Sequence, residues 1–388
     1  MASALWNSLI SHLTAPSWIP YTTERGIPSP CRIKLPDLLT ALPDASSAFR
    51  INGRCKEVSD ASLEWVTEFR LRTSRSNRTD EPFMLEDSVG PVDEGQYDAD
   101  EEHEVYIKAG LLAAMCFPTA NYTQLRLCTD VLNWMFLLEC RLEILNHADA
   151  SKLLQDIISI LARLKRSPES PFIFDRFKNN LQLYLPSLVQ KPMASSAQHI
   201  PSVKTYVTQQ REHGWPALLF ILIEYSQGLK LSPDTWKKTP SLTSMKEAAG
   251  DIVLYAADIY DRIGRVSQSI YPKQTHNAVA LLEYTQSLDL QSAVDSVGEL
   301  CAARVRELAR YHPTVLSKCS SPSLAGAGIK EILNTDIVLY AQGLGDCVRG
   351  VLHWAFETER YFGRDAGFVR MTLSVEMTGS EPITASEL

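Results

Sequence analysis

The sequence is notable first for what it lacks. None of its eight cysteines forms a C-x-x-C pair, and several sit inside apolar helical patterns. This reads as reduced thiols of an intracellular protein rather than a disulfide frame. There is no basic stripe: Arg70 to Arg78 is the densest basic stretch, an acidic run follows it, and the net charge is -8. A nucleic-acid binder needs a phosphate-facing patch of Lys and Arg, so that class is set aside. The longest apolar runs, such as Trp215 to Ile223, fall far below the ~20 residues of a membrane span. Before Arg25 there is neither a positively charged side chain nor a clear apolar stretch, so a secretory leader is not expected and the cytoplasm is the expected location. Alternating strand patterns are nearly absent apart from a short candidate over Val369–Val375, and no repeat of 30 to 50 residues suggests a solenoid.

What is present is a helical chain. Of 388 residues, 45% are hydrophobic and 22% charged, which suits a globular protein with a large apolar core. Residues 58 to 72 look like an amphipathic helix, and a short helical piece is expected over Leu35–Leu42 with Pro36 in its first turn. From residue 105 apolar side chains recur every three or four positions, as in Val294, Val297, Leu300, Cys301, Val305 and Leu308. This predicts helices over Tyr122–Leu145, Trp215–Gln227, Leu242–Gln268 and Leu290–Tyr311, and two separate ones over Ile329–Leu344 and Cys347–Phe362. The expectation is one all-α domain over residues 1–388, with its core at about 45–375. Residues 79–104 hold eleven Asp or Glu and no Lys or Arg, and read as a flexible acidic loop; 376–388 read as a disordered tail.

Three groups of residues can carry chemistry. Glu139 and Glu143 lie four apart at the end of an otherwise apolar helix, on one face, where they can hold Mg²⁺ or form a solvated helix end. The helix Leu242–Gln268 holds Asp258, Asp261 and Arg265, with Asp261 and Arg265 spaced for an ion pair. Near the C-terminus, Arg360 and Tyr361 stand among Trp354, Phe356 and Phe362, a suitable clamp for an anion such as phosphate or an ordinary edge of an aromatic core.

The order of these segments resembles the fungal class I sesquiterpene synthases. The resemblance rests on Gly110 to Pro118 followed by Leu125 to Asp130, on Asp258-Ile-Tyr260, on Thr275-His-Asn277 with Ala293-Val-Asp295, and on Gln342-Gly343 to Trp354 with Glu359-Arg-Tyr-Phe-Gly363. It implies a single-domain α-helical barrel that binds a C15 isoprenoid, usually farnesyl diphosphate, with Mg²⁺. In such a barrel metals and arginines draw off diphosphate, and the allylic cation cyclises against aromatic walls. Carried onto this sequence, it implies Glu139, Asp258 and Asp261 as reacting carboxylates and Glu139 with Glu143 as metal ligands. Arg211, Arg265, Arg360 and Tyr361 become diphosphate ligands, and Phe117, Trp134, Phe136, Trp215, Tyr260 and Trp354 line the pocket. It permits a monomer or a homodimer.

The sequence departs from the family at its metal motifs. The first, Asp-Asp/Glu-x-x-Asp in the family, is Glu139-Cys-Arg141-Leu-Glu143 here. The second, Asn-Asp-x-x-Ser-x-x-x-Glu, begins at Ala257, and Asp261 and Arg265 replace its Ser and Glu. Three readings follow. Arg265 replaces a metal as fixed countercharge in a cyclase of reduced Mg²⁺ dependence. Or Glu139, Asp261 or His213 performs acid–base chemistry on an already processed terpenoid, coupling it to a second nucleophile by a C–N or C–C bond. Or the chain is a non-catalytic binding protein.

Overall fold

The computed structural model describes residues 31–42, 49–76, 107–145, 147–163, 171–193, 201–267, 277–320 and 327–377. The acidic stretch 79–104 and the residues after Met377 lie outside the described residues. Fourteen α-helices are described: α1 (Leu38–Ala41), α2 (Cys55–Ser76), α3 (Ala109–Cys116), α4 (Tyr122–Ile144), α5 (His147–Arg163), α6 (Pro171–Met193), α7 (Val203–His213), α8 (Trp215–Gln227), α9 (Pro233–Lys238), α10 (Pro240–Ser267), α11 (Ala278–Thr285), α12 (Leu290–Ser320), α13 (Ala327–Trp354) and α14 (Ala366–Thr372). Two short strands, β1 (Cys31–Lys34) and β2 (Ser374–Met377), pair antiparallel with Cys31 opposite Met377 and Lys34 opposite Ser374.

Local sequence explains most boundaries. Asn121 and Gln124 form a reciprocal capping box that starts α4. Ser202 caps α7 and Ser232 caps α9, each side chain accepting the backbone N–H three residues on. Pro216 occupies the first turn of α8, and Gly228 ends it in a left-handed conformation at φ 65°.

Helices α10 and α8 are mostly buried along their length. α10 packs chiefly on α12 and α13, α13 reaches α3, and α8 touches α6, α13 and α4. Ile252, Val253, Ala256, Ile259 and Ile263 of α10 meet a core that includes Val294, Val297 and Cys301 of α12.

The structure changes three expectations. The break expected near Gly345 does not occur: α13 is continuous from Ala327 to Trp354. Its glycines serve packing instead. A Cβ on Gly350 would lie 2.9 Å from the Cys116 backbone nitrogen, and one on Gly343 would lie 2.4 Å from the Ile223 side chain. The strand expected over Val369–Val375 is displaced: Val369 is helical, and the strand runs to Met377, into the region expected as tail. Pro36 precedes α1, where Asp37 is the cap.

Candidate active site

Helix α4 brings Phe136 and Glu139 to one face, three positions apart, and both meet Arg360. The Arg360 guanidinium lies 5.2 Å from the Phe136 ring centre and 6.0 Å from that of Tyr361. One Arg360 N–H donates to Glu139 Oε2 at 3.1 Å. The other carboxylate oxygen accepts the Tyr184 hydroxyl of α6 at 2.7 Å. Arg360 is mostly enclosed. Burial works against its charge, but Glu139 and then Tyr361 more than offset this, holding it above its ordinary value. Burial, reinforced by Glu139, also keeps the Tyr184 phenol far from ionising.

On α10, the Arg265 Nε–H donates to both oxygens of Asp261, at 2.9 and 3.0 Å. Asp261 is near enough to influence both Arg360 and Tyr361. The Tyr361 phenol is pushed up to about 12, by burial first; Arg360 works the other way, and Asp261 and Glu139 add to the rise. The α10 end and the Arg360–Tyr361 turn meet closely because of Gly264, where a Cβ would lie 2.2 Å from the Tyr361 carbonyl oxygen.

Aromatic rings pack beside this cluster. Trp354 stacks on Phe136 at 5.5 Å and meets Tyr361 edge-on at 5.9 Å. Tyr260 contacts Phe356, Tyr361 and Phe362. The Trp354 indole N–H donates to the Ile107 carbonyl at 2.9 Å, which fixes the ring. Thus Phe136, Trp354, Tyr361 and Tyr260 form one run of ring contacts in that order. Of the other expected lining residues, Phe117 ends α3, its carbonyl bound by Asn52. Trp134 is fully buried on α4, and Trp215 is half-buried at the start of α8.

Two expected site residues have structural partners. Asp258 serves the backbone: its carboxylate accepts the Ala278 N–H at 2.9 Å and the buried Tyr206 hydroxyl at 3.0 Å. Its own carbonyl accepts the Asn277 amide at 2.7 Å, so it anchors the start of α11. Arg211 forms a two-pronged pair with buried Asp251, at 2.8 and 2.6 Å, with Arg304 on the same carboxylate at 2.8 Å. Asp251 lies ten positions before Asp261, ~15 Å along the helix axis. The groups that perturb Arg211 are Asp251, Glu247 and Tyr255. His213, at the end of α7, pairs with Glu212 at 3.7 Å. Sequence reasoning missed Tyr184 and Arg304, each contributed across a helix interface with no motif of its own.

A Mg²⁺ site would need free carboxylate oxygens among these residues. Ala257 has no donor atom, Asp258 is taken up by backbone and Tyr206, and Asp261 is paired with Arg265. Glu139 gives its oxygens to Tyr184 and Arg360, and the Glu143 side chain is outside the described residues. Among the described residues no group of three or more His, Cys, Asp or Glu is placed to hold a metal ion. Among the described residues, each of these carboxylates is thus engaged by a protein partner. Nor is any described helix long and apolar enough to cross a membrane.

Comparison with known proteins agrees with this architecture. Residues 120–307 match the family model described as terpene synthase family 2, C-terminal metal binding. Sesquiterpene synthase Agr1 of Cyclocybe aegerita is 29% identical over 290 residues, covering 70% of this chain and 79% of that protein. Alpha-muurolene synthase of Coprinopsis cinerea is 25% identical over 381 residues, covering 91% and 80%. Among solved structures, a-eudesmol synthase superposes with a TM-score of 0.61 at 14% identity, covering 81% of this chain and 99% of that one. Hedycaryol synthase, in complex with HEPES, gives 0.59 at 16%, covering 82% and 99%. The all-α fold is that of the class I terpene synthases, and in sequence the chain is similar to these fungal sesquiterpene synthases.

Proposed function

We propose that the protein is a terpene cyclase that ionises a C15 prenyl diphosphate and cyclises the resulting cation with reduced dependence on Mg²⁺. One observation carries this reading: Arg360 is held charged and largely enclosed, flanked by Phe136 and Tyr361, where the family resemblance calls for an anion clamp. The names of the relatives, sesquiterpene synthases of fungi, support the fifteen-carbon substrate.

The chemistry follows from charge. The allylic C–O bond breaks heterolytically, and diphosphate leaves with the electron pair. Arg360 and Arg265 offer permanent positive charge and N–H forks to the departing oxygens, and the Tyr361 hydroxyl, far from ionising, donates as a neutral group. The faces of Phe136, Tyr260 and Trp354 stabilise the carbocation as it folds on itself, and loss of a proton ends the sequence. Within the described pairs Glu139 and Asp261 act as hydrogen-bond acceptors.

The test is incubation with farnesyl diphosphate in Mg²⁺ buffer and in EDTA, following pyrophosphate release and volatile products. Turnover in Mg²⁺ that persists in part in EDTA is expected. Absence of pyrophosphate release in both buffers overturns the reading. Release confined to Mg²⁺ leaves the cyclase and removes its reduced metal dependence.

A further inference from the structure

The Glu139–Arg360 contact differs from the Arg211–Asp251 pair. Arg211 grips Asp251 with two N–H groups at 2.8 and 2.6 Å, while Arg360 reaches Glu139 through one N–H at 3.1 Å. Bidentate pairs are the stronger and more specific ones. Around Arg360 stand two aromatic rings, with Asp261 a further negative charge near enough to act on it. Phe136 holds the cation through its face without consuming an N–H group, and Tyr361 lies beside it, ring centre at 6.0 Å and hydroxyl in reach of the guanidinium. Glu139, by contrast, has a second partner that does not depend on Arg360: Tyr184, a buried hydroxyl at 2.7 Å that stays protonated.

These facts describe a carboxylate that competes with an incoming anion for one arginine. A diphosphate approaching Arg360 meets a negative charge already on it, and binding requires that charge to be displaced or outbid. Leaving a carboxylate without a partner in an enclosed site is costly. The Tyr184 hydroxyl lowers that cost, because Glu139 keeps one strong hydrogen bond after Arg360 has turned to phosphate.

Resting on the diphosphate reading above, we propose that Glu139 is the resting counter-ion of Arg360, displaced by the substrate headgroup, and that Tyr184 is a positioning residue that keeps the carboxylate satisfied while Arg360 is exchanged. Glu139 then sets the threshold for headgroup binding. It discriminates against weakly charged anions, since only a multiply charged headgroup replaces a carboxylate at a single guanidinium.

The experiment is calorimetric titration of the full chain with inorganic pyrophosphate, in EDTA and in Mg²⁺, for wild type, Glu139→Gln, Tyr184→Phe and the double variant. Thermal denaturation of each checks that it is folded. In EDTA, Glu139→Gln is expected to bind pyrophosphate roughly tenfold more tightly, since the competing charge is gone. Tyr184→Phe in the wild-type background is expected to weaken binding by roughly threefold, a share of one hydrogen bond. In the Glu139→Gln background the same change should have almost no effect. This non-additivity separates positioning from a merely structural role. Unchanged or weaker metal-free binding by Glu139→Gln, or additive effects of the two changes, overturns the counter-ion role while leaving the diphosphate reading intact. Loss of Mg²⁺-supported binding in Glu139→Gln, with no gain in EDTA, makes Glu139 a metal ligand and overturns the role too. Absence of pyrophosphate binding by every form in both buffers overturns the diphosphate reading and this inference together.

Discussion

Asp251 and Asp261 sit ten positions apart on one helix and have opposite circumstances. The Asp251 side chain is 1% exposed and is held by Arg211 of α7 and Arg304 of α12. The Asp261 side chain is 27% exposed, and its partner Arg265 comes from the next turn of α10 itself. Three helices are tied together at the first acid; within the described pair at the second, no other helix is bridged. A charge buried among partners from separate elements holds elements in place, because breaking it strands several charges at once. A charge paired locally near the surface contributes little to stability. Of the arginines expected as headgroup ligands, Arg211 belongs to the first kind and Arg265 to the second.

The widest separation between the two sites is expected in stability. Asp251→Asn leaves Arg211 and Arg304 without their shared counter-ion and should cost ~3–5 kcal/mol, as for other broken buried pairs. Denaturant titration would show it, and a loss below ~1 kcal/mol would mean the network is not a structural tie.

Inner charge has a second instance. Glu224 of α8 is 2% exposed, with Arg176 of α6 on its carboxylate and Lys246 of α10 and Tyr340 of α13 nearby. Burial outweighs Arg176 and Lys246 and raises its pKa from 4.5 to about 7. The folded state therefore binds this proton more tightly than the unfolded chain does. Its stabilising effect is complete below about pH 4.5, is lost as pH rises through about 7, and is gone above that. The change amounts to on the order of 3 kcal/mol. Thermal unfolding between pH 5 and 8 should show stability falling with pH, and Glu224→Gln should flatten that slope whatever its absolute effect. An equal slope in the variant would assign the pH dependence to another group.

A smaller effect is expected at Gly264, which links α10 to the outer site. A methyl there meets the Tyr361 carbonyl oxygen at 2.2 Å. Since backbone must move, Gly264→Ala should cost ~1–3 kcal/mol and also weaken pyrophosphate binding, because Arg360 and Tyr361 shift with their turn. Unfolding and titration measured side by side would tell a local displacement from general destabilisation.

The helices were legible because apolar spacing and caps are local: Trp215–Gln227 was readable to the residue from a continuous apolar run between Gly214 and Gly228. Glycines in α13 misled because a glycine that breaks a helix and one that admits a neighbouring backbone look alike in sequence. At the site, Arg360 and Tyr361 were visible as a motif, and Asp261 with Arg265 by their spacing of four. Partners drawn from distant segments were not. Tyr184 stands 45 positions from Glu139, and Asp251 stands 40 from Arg211. Nothing in either local pattern indicates which carboxylate a given arginine takes. Asp258 carried the expected residue type for chemistry, yet the 20-residue return to Ala278 makes it an anchor for the start of α11.

The sharpest contrast comes from the smallest expected stability change. Asp261→Asn removes a locally paired, part-exposed charge and should shift stability by no more than ~1 kcal/mol. Its effect on the headgroup depends on what Asp261 does. As counter-ion of Arg265, its loss releases that guanidinium to a diphosphate, and KM for farnesyl diphosphate should fall while kcat changes little. As a metal ligand in place of the family's serine, its loss should instead depress kcat and raise the Mg²⁺ concentration needed for turnover. Steady-state kinetics across a Mg²⁺ series therefore decide between the two with a protein whose fold is undisturbed. The same substitution at Asp251 cannot make that distinction, because there the charge is part of the scaffold.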